Sequence, residues 1–359
     1  MNVLPGPPTG LTRTAAPGRF GPVPVHPALD RLRSVIEATI APAAVATDAS
    51  AVPASHLAAL AGTGFFGLTV PAAHGGLDAP EEVVTEAHEL LAGACPSTFL
   101  VASQHGAPIR SIVDNGGPEL RALLPALARG ERIGGVAFGH VRSWPARRTL
   151  VARRAGRGWR FDGVVPWFSG AGLVDLVNLA AVAEAESTIV FAEVDLPRPG
   201  EVEDVPLDLV AVRGSRTVAL RIDGLTVPDE RVTRVVDVDA WKAEDGRGVP
   251  GPAPGALGLA RAALAYALDR QPDHPDLLAL ADEVAAARRP PAGADPVRWR
   301  AYSVNLAVRA TNAAVVARGG AALLTGDPAQ IWARAALFLE VRALSPELRD
   351  AHLRQLAGG

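Results

Sequence analysis

Apolar residues near the start of the chain recur at the spacing of an amphipathic helix. Leu29, Leu32 and Ile36 fall on one helical face, and the same period returns in the leucines around Leu124. This periodicity predicts a helical domain over residues 28–132. The Pro- and Gly-rich residues 1–27 that precede it are expected to form a poorly ordered leader.

The pattern changes after residue 132 to short β-branched runs, which Gly, Pro and Asp separate. The clearest runs lie at residues 149–151, 176–182, 188–194 and 218–222. They predict a β-domain over residues 133–240.

Glycine and proline then interrupt the chain, and residues 241–254 are predicted to form a linker rather than a packed element. Alanine-rich helical patterns follow at residues 255–270, 277–288, 297–318 and 329–344. They predict a C-terminal helical bundle over residues 255–359. The order of helices, strands and helices indicates an α+β fold with segregated layers.

Composition narrows the possible functions. The 359 residues carry 35 Lys and Arg against 38 Asp and Glu, a net charge of −3, so no nucleic-acid footprint is expected. No apolar run approaches the roughly 20 residues of a membrane span, and no secretory signal is visible. A cytoplasmic location is expected. With a single cysteine and no paired histidine spacing, no metal site is expected either.

Five motifs in fixed order carry a family resemblance. They are residues 64–76 (GFFGLTVPAAHGG), 124–134 (LPALARGERIG), 167–175 (WFSGAGLVD), 213–228 (RGSRTVALRIDGLTVP) and the glycine pair 319–320 with Asp327, Pro328 and Arg334. In this order the chain resembles the acyl-CoA dehydrogenases from about residue 28 to 356. The resemblance implies an N-terminal helical domain, a central β-domain and a C-terminal four-helix bundle, here shortened, with FAD between the last two.

The resemblance also implies residues that contact FAD. Trp167 would supply a plane for the flavin ring and Ser169 a hydroxyl donor at its polar edge. Phe138 lies in the loop that approaches the flavin. Taken alone, Trp167 also fits a core aromatic at a strand end, and Ser169 a turn residue.

At the dinucleotide end, Arg270 would meet the FAD pyrophosphate of a neighbouring subunit, and Gly319 and Gly320 would allow close approach of the backbone. A helix-terminal cation and a helix cap are the alternative interpretations of these residues. This arrangement predicts a homodimer or homotetramer.

The family's catalytic glutamate is missing, because its position corresponds to Ala343. Glu340 lies one helical turn earlier and His105 lies on the helix that lines the acyl pocket in this fold, so both are candidate bases. Glu340 as a solvated surface residue and His105 as a bonded core histidine are the alternatives. His140 is a third and weaker candidate base; it stands in the altered loop, next to Gly139, which by the resemblance replaces a threonine that contacts the flavin.

Three functions therefore remain open. The first is an FAD-dependent oxidoreductase that dehydrogenates the Cα–Cβ bond of an acyl thioester, bound to CoA or to a carrier protein. The second is a flavin monooxygenase of the same fold, which needs no α-proton base. The third is a non-catalytic or half-site subunit that pairs with a related chain.

Overall fold

The N-terminal domain is helical, as the sequence predicts. The computed structural model describes residues 18–247 and 253–358. A π-helix at Ile36–Ile40 joins the first two helices into one rod, and the predicted apolar face of this rod is buried. The helices of the domain are α1 Pro27–Val35, α2 Ala41–Ala49, α3 Ala54–Thr63, α4 Glu81–Ala94, α5 Pro96–Ala102, α6 Gly106–Asn115, α7 Pro118–Arg121 and α8 Leu124–Ala128.

Part of the predicted leader is packed. Phe20 is buried, and Arg288 donates hydrogen bonds to the carbonyl oxygens of Phe20 at 2.9 Å and Pro22 at 3.3 Å. The expectation of poor order is therefore wrong for this stretch, because one aromatic anchor and one arginine fix it to the C-terminal bundle. Residues 1–17 lie outside the described residues.

The central domain is one mixed sheet of strand order β6-β7-β3-β2-β4-β5-β8, with β1 paired parallel to β4. β4 is buried along its whole length and β5 along all but its two ends, as their continuous apolar sequences require. The strands are β1 Gly134–Ala137, β2 Leu150–Arg154, β3 Gly158–Phe168, β4 Leu176–Ala183, β5 Thr188–Asp195, β6 Val202–Pro206, β7 Val218–Pro228 and β8 Val232–Asp237.

The predicted linker at residues 241–254 begins as a helix, α9 Val238–Arg247. Trp241 is buried with its ring 5.9 Å from that of Phe191, and Asp245 pairs with Arg142 at 2.7 Å. An aromatic anchor and an ion pair therefore give structure to a segment whose composition suggests none. Residues 248–252 lie outside the described residues.

The C-terminal domain packs five helices: α10 Pro254–Arg270, α11 Pro275–Ala287, α12 Pro296–Arg318, α13 Pro328–Val341 and α14 Pro346–Leu356. The predicted last helix, 329–344, ends at Val341, and Ala343 then adopts the left-handed conformation at φ 53°. The unpredicted α14 packs Leu348 and Ala351 against Ala301 of α12. None of the described helices is both long enough and apolar enough to cross a bilayer.

Two glycines let the first and last domains approach closely. A Cβ atom on Gly258 of α10 would lie 2.2 Å from the Glu89 carbonyl oxygen of α4, and one on Gly93 would lie 2.8 Å from the Gly258 carbonyl oxygen. Only glycine allows this contact. Next to it, Glu86 and Glu89 form buried ion pairs with Arg261 and Arg288.

Candidate functional site

Of the two aromatic residues that the sequence analysis assigned to FAD, Trp167 is exposed and Phe138 is half-buried. A register shift in the β3–β7 pair falls between Val165 and Phe168, which are both buried, whereas Trp167 is 63% exposed. Such irregularities re-aim side chains out of a sheet. Trp167 is therefore not the core aromatic of the alternative interpretation, and its indole presents a flat apolar surface to solvent.

Two residues further on, Ser169 begins a chain of three hydroxyl groups. Its Oγ lies 2.7 Å from Thr217 Oγ1, which lies 2.7 Å from Ser215 Oγ. Ser215 and Thr217 are buried, and Ser169 is half-buried. The motifs at 167–175 and 213–228, distant in sequence, therefore meet beside the exposed indole.

The loop after β1 is folded as a 3-10 helix at Gly139–Ser143. Phe138 is half-buried with its ring 5.8 Å from that of Phe191, and Arg142 forms two 2.7 Å hydrogen bonds to Asp245 of α9. Gly139 is exposed. The Arg142–Asp245 pair thus holds the loop against α9. The ring of Phe138 packs on the sheet at Phe191.

His105 is fixed by the backbone on both sides of its ring. Gly134 N–H donates to Nδ1 at 2.9 Å, and Nε2 lies 3.1 Å from the Leu127 carbonyl oxygen. Burial, only partly offset by the Leu127 hydrogen bond, lowers the pKa of His105 to about 4. The ring nitrogen that a general base needs is already an acceptor, so this geometry matches the bonded core histidine and not a base.

The other candidate bases are also occupied or enclosed. Glu340 lies 2.9 Å from Nδ1 of the buried His352 on α14, so it is not a free surface residue. His140 is buried, and burial lowers its pKa to about 4. At the position of the family's glutamate, Ala343 is exposed and carries no acid. Of the three, only His105 has both ring nitrogens hydrogen-bonded; the ring nitrogens of His140 and the carboxylate oxygens of Glu340 are buried without a hydrogen-bond partner among the described residues.

Arg270 and the glycine pair meet at one end of the C-terminal bundle. Arg270 is exposed, and its guanidinium stacks 3.5 Å from the ring centre of Tyr266. The Tyr266 hydroxyl donates to Asp327 at 3.0 Å, and Asp327 pairs with Arg318, the residue before Gly319. A network of side chains therefore connects two regions that the sequence only suggested were related.

The glycine pair itself is exposed. Gly319 has φ 70° and ψ −157°, a conformation that is essentially restricted to glycine, and a Cβ atom on Gly320 would meet no atom within 4 Å. Both glycines leave the backbone open to an approaching group.

Two residues that the sequence analysis did not single out stand out in the structure. Arg342, directly before Ala343, and Arg300 of α12 are half-buried, and Arg300 Nη2 donates to the Arg342 carbonyl oxygen at 3.4 Å. The sequence carried one sign of this pair, because Arg342 directly precedes Ala343, the position of the missing glutamate. We looked only for an acid at that position.

Comparison with known proteins identifies the N-terminal domain. Residues 27–131 match the family model "Acyl-CoA dehydrogenase, N-terminal domain". A curated relative, benzylmalonyl-CoA dehydrogenase of Aromatoleum aromaticum, is 29% identical over 196 residues. That alignment covers 53% of this chain and 52% of the relative, so the chain matches about half of the relative's length.

Solved structures show the same fold over nearly the whole chain. Butyryl-CoA dehydrogenase from Megasphaera elsdenii superposes with a TM-score of 0.77 at 17% identity, covering 93% of this chain and 99% of that one. Glutaryl-CoA dehydrogenase from Mycobacterium smegmatis, in complex with FADH2, gives 0.76 at 18% identity, covering 92% and 94%. The predicted α+β fold, with its helical, β and helical domains, is therefore confirmed.

Proposed function

We propose that this chain, whose residues 27–131 belong to the acyl-CoA dehydrogenase N-terminal domain family and whose fold is that of these enzymes, is an FAD-dependent oxidoreductase acting on an acyl thioester. The observation that carries the proposal is the exposed Trp167 beside the Ser169 hydroxyl. A large flat aromatic exposed at a sheet irregularity offers a stacking surface for a flavin ring, and a ring bound there would remove apolar area from water.

The residues present fit the cofactor at three places. Trp167 offers the stacking plane and Ser169 the hydroxyl, while the exposed Gly319 and Gly320, with Arg270 nearby, suit a dinucleotide phosphate. Phe138, another predicted contact, would act mainly through its backbone, because its ring packs on Phe191. When bound, FAD supplies the acceptor for the hydride that leaves the β-carbon of the substrate.

Proton removal is the part of the reaction that these residues support least. His105 is bonded at both nitrogens and Glu340 is paired with His352. The alanine at the position of the family's glutamate and the fully bonded ring of His105 favour a second candidate, a flavin monooxygenase of the same fold, in which no α-proton is removed. For the dehydrogenase we propose a specialised member in which the α-proton leaves by another route than the family's glutamate.

The test of the proposal is the flavin content of the purified protein. Wild type is expected to be yellow and to contain FAD, and Trp167→Ala is expected to lose FAD during purification because the stacking plane is gone. The matched control is Val235→Ala, an exposed apolar residue of the same sheet, which should keep its FAD. Full occupancy in Trp167→Ala, or a wild type that does not bind added FAD, would contradict the proposal.

The same preparations distinguish the remaining alternatives. Enoyl thioester formed with an artificial electron acceptor indicates dehydrogenation, and oxygenated product formed only under air indicates the monooxygenase. A homodimer or homotetramer is proposed because the bundle leaves Val316, Leu323 and Leu337 exposed. A monomeric mass with FAD bound would contradict that assembly, and FAD binding without turnover would leave the half-site subunit.

A further inference from the structure

Arg300 and Arg342 form a pair of half-buried cations without a carboxylate partner. Arg342 Nη2 donates to Ser103 Oγ at 3.3 Å, and Arg300 Nη2 donates to the Arg342 carbonyl oxygen at 3.4 Å. Among the residues that the structure describes, no Asp or Glu oxygen is recorded within 4 Å of either guanidinium. Within the described part of the chain, the hydrogen bonds of the two guanidinium groups go to uncharged oxygen atoms.

The two positive charges destabilise one another. Burial, followed by the nearby positive charge of Arg142, lowers the pKa of Arg300, and burial followed by Arg300 lowers that of Arg342 to about 10. Both guanidinium groups remain charged at neutral pH. Arg142 is neutralised by its two hydrogen bonds to Asp245, so the uncompensated charge belongs to Arg300 and Arg342.

Arg300 also has an unsatisfied donor. Its Nε is buried and has no hydrogen-bond partner in the described structure. An unused donor on a charged group costs free energy, which an anion bound in this place would recover.

Arg342 faces the end of α5, two residues before His105, in the segment to which the resemblance assigns the wall of the acyl pocket. Its guanidinium lies 5.5 Å from the centre of the Phe99 ring, and Ser103 follows α5 directly. The ring of Phe99 contacts that of His88, whose pKa is lowered to about 4 by burial and then by Arg342. The described side chains around Arg342 are thus aromatic or neutral, apart from the other arginine of the pair.

We propose that Arg342, assisted by Arg300, binds the free carboxylate of an acyl group that carries a second carboxyl. A guanidinium presents its donors in a planar fork that matches a carboxylate, and such charge-assisted hydrogen bonds are strong. The inference rests on the proposed function, because it assumes that the acyl thioester enters this pocket. It makes this chain selective for anionic acyl groups.

The experiment compares CoA thioesters in pairs that differ only in the terminal carboxylate. The pairs are succinyl with butyryl, glutaryl with pentanoyl, and adipoyl with hexanoyl thioester, each titrated calorimetrically into the FAD-loaded protein. In at least one pair the carboxylate thioester should bind about 10- to 100-fold more tightly to wild type, equivalent to roughly 1.5–3 kcal/mol for hydrogen bonds to a charged group. Arg342→Gln should abolish this preference.

Two further variants serve as support and control. Arg300→Gln should reduce the preference without abolishing it. Arg298→Gln, an exposed arginine of the same helix with no described ion pair, should leave it unchanged. An equal loss for both members of a pair in Arg342→Gln would assign the arginine to a CoA phosphate and overturn the inference.

The remaining outcomes separate this inference from the function beneath it. Equal binding of both members of every pair to wild type overturns the carboxylate site and leaves the thioester function standing. No binding of any thioester overturns the proposed function, and the carboxylate site with it.

Discussion

Two pairs of arginines in this molecule are buried to similar degrees but have opposite surroundings. Arg261 and Arg288, 15% and 10% exposed, face Glu86 and Glu89, with Arg261 donating to Glu86 at 2.8 and 3.1 Å. Arg300 and Arg342 face a serine hydroxyl and a carbonyl. The ion pairs of Arg261 and Arg288 connect α4 of the first domain to α10 and the end of α11 in the last domain. The unpaired arginines make one hydrogen bond between these domains, from Arg342 to Ser103.

The contrast shows how to distinguish a structural arginine from a binding one. A buried cation that the fold itself neutralises contributes to holding domains together, and its removal leaves carboxylates stranded. A cation that the fold leaves uncompensated is a cost to the protein without ligand, and it becomes useful only when an anion arrives. The following predictions test this distinction through stability.

The largest effect is expected at the paired set. Arg261→Gln leaves Glu86 and Glu89 facing one another with less positive charge, so the free energy of unfolding should fall by about 3–5 kcal/mol. Chemical denaturation at pH 7 measures this loss. The control is Arg309→Gln, which breaks an exposed pair with Glu283 and should cost no more than about 1 kcal/mol. Similar losses in the two variants would remove the distinction.

A smaller and pH-dependent effect is expected at Glu193, a buried acid in the sheet. Burial raises its pKa to about 7, although Asn178 donates to it at 2.6 Å. Between about pH 4.5 and 7 the unfolded chain releases this proton before the folded one, so stability falls with rising pH by up to about 3 kcal/mol. Unlike a buried arginine, the Glu193 carboxyl can become neutral by binding a proton below about pH 7.

Glu193→Gln removes the titration. The variant should match wild type near pH 4 and exceed its unfolding free energy at pH 8, by up to about 3 kcal/mol. The control is Glu203→Gln. Glu203 forms an exposed ion pair with Arg221, so this variant should have the stability of wild type at both pH values. A Gln variant that is less stable at pH 8 would show that the carboxylate is ionised and stabilising in the fold.

The smallest effect is expected at Arg342. Arg342→Gln removes a cation that has no carboxylate partner and one hydrogen bond of 3.3 Å, so the free energy of unfolding should change by no more than about 1 kcal/mol. A slight gain is the expected direction, since burial of the charge is relieved. A loss of 3 kcal/mol would make Arg342 a structural residue like Arg261 and contradict the contrast.

The sequence predicted the parts of the fold that repeat regularly. Helical spacing located α1, α10 and α12, and β-branched runs located β4 and β5, because these elements bury one face or both over many residues. The helix α9 and the packing of Phe20 were missed. Each depends on a single aromatic anchor and one or two partners distant in sequence, which no periodicity reveals.

The candidate site divides in the same way. Motif resemblance pointed to Trp167 and Ser169, and the structure adds the exposure of one and the hydrogen-bonded neighbours of the other. His105 matches the bonded core histidine that the sequence left open as an alternative, whereas the surroundings of Glu340 were not predictable, because its neighbour His352 lies on a helix that the sequence did not suggest. That Arg342 lacks a carboxylate partner was likewise not predictable, because its neighbours Ser103 and Arg300 are distant in sequence.

The three-hydroxyl chain that ends at Ser169 has a fixed proton count. Three O–H groups make only two internal hydrogen bonds, so one of the three protons must point out of the chain. Ser215 and Thr217 are both buried, and no other acceptor for either hydroxyl is found among the described residues, which makes an outward proton on either of them costly. The spare proton therefore belongs to Ser169, with each bond polarising the next. The Ser169 hydroxyl is therefore a hydrogen-bond donor beside Trp167. A ring that stacks on the indole needs an acceptor atom at the edge that faces Ser169.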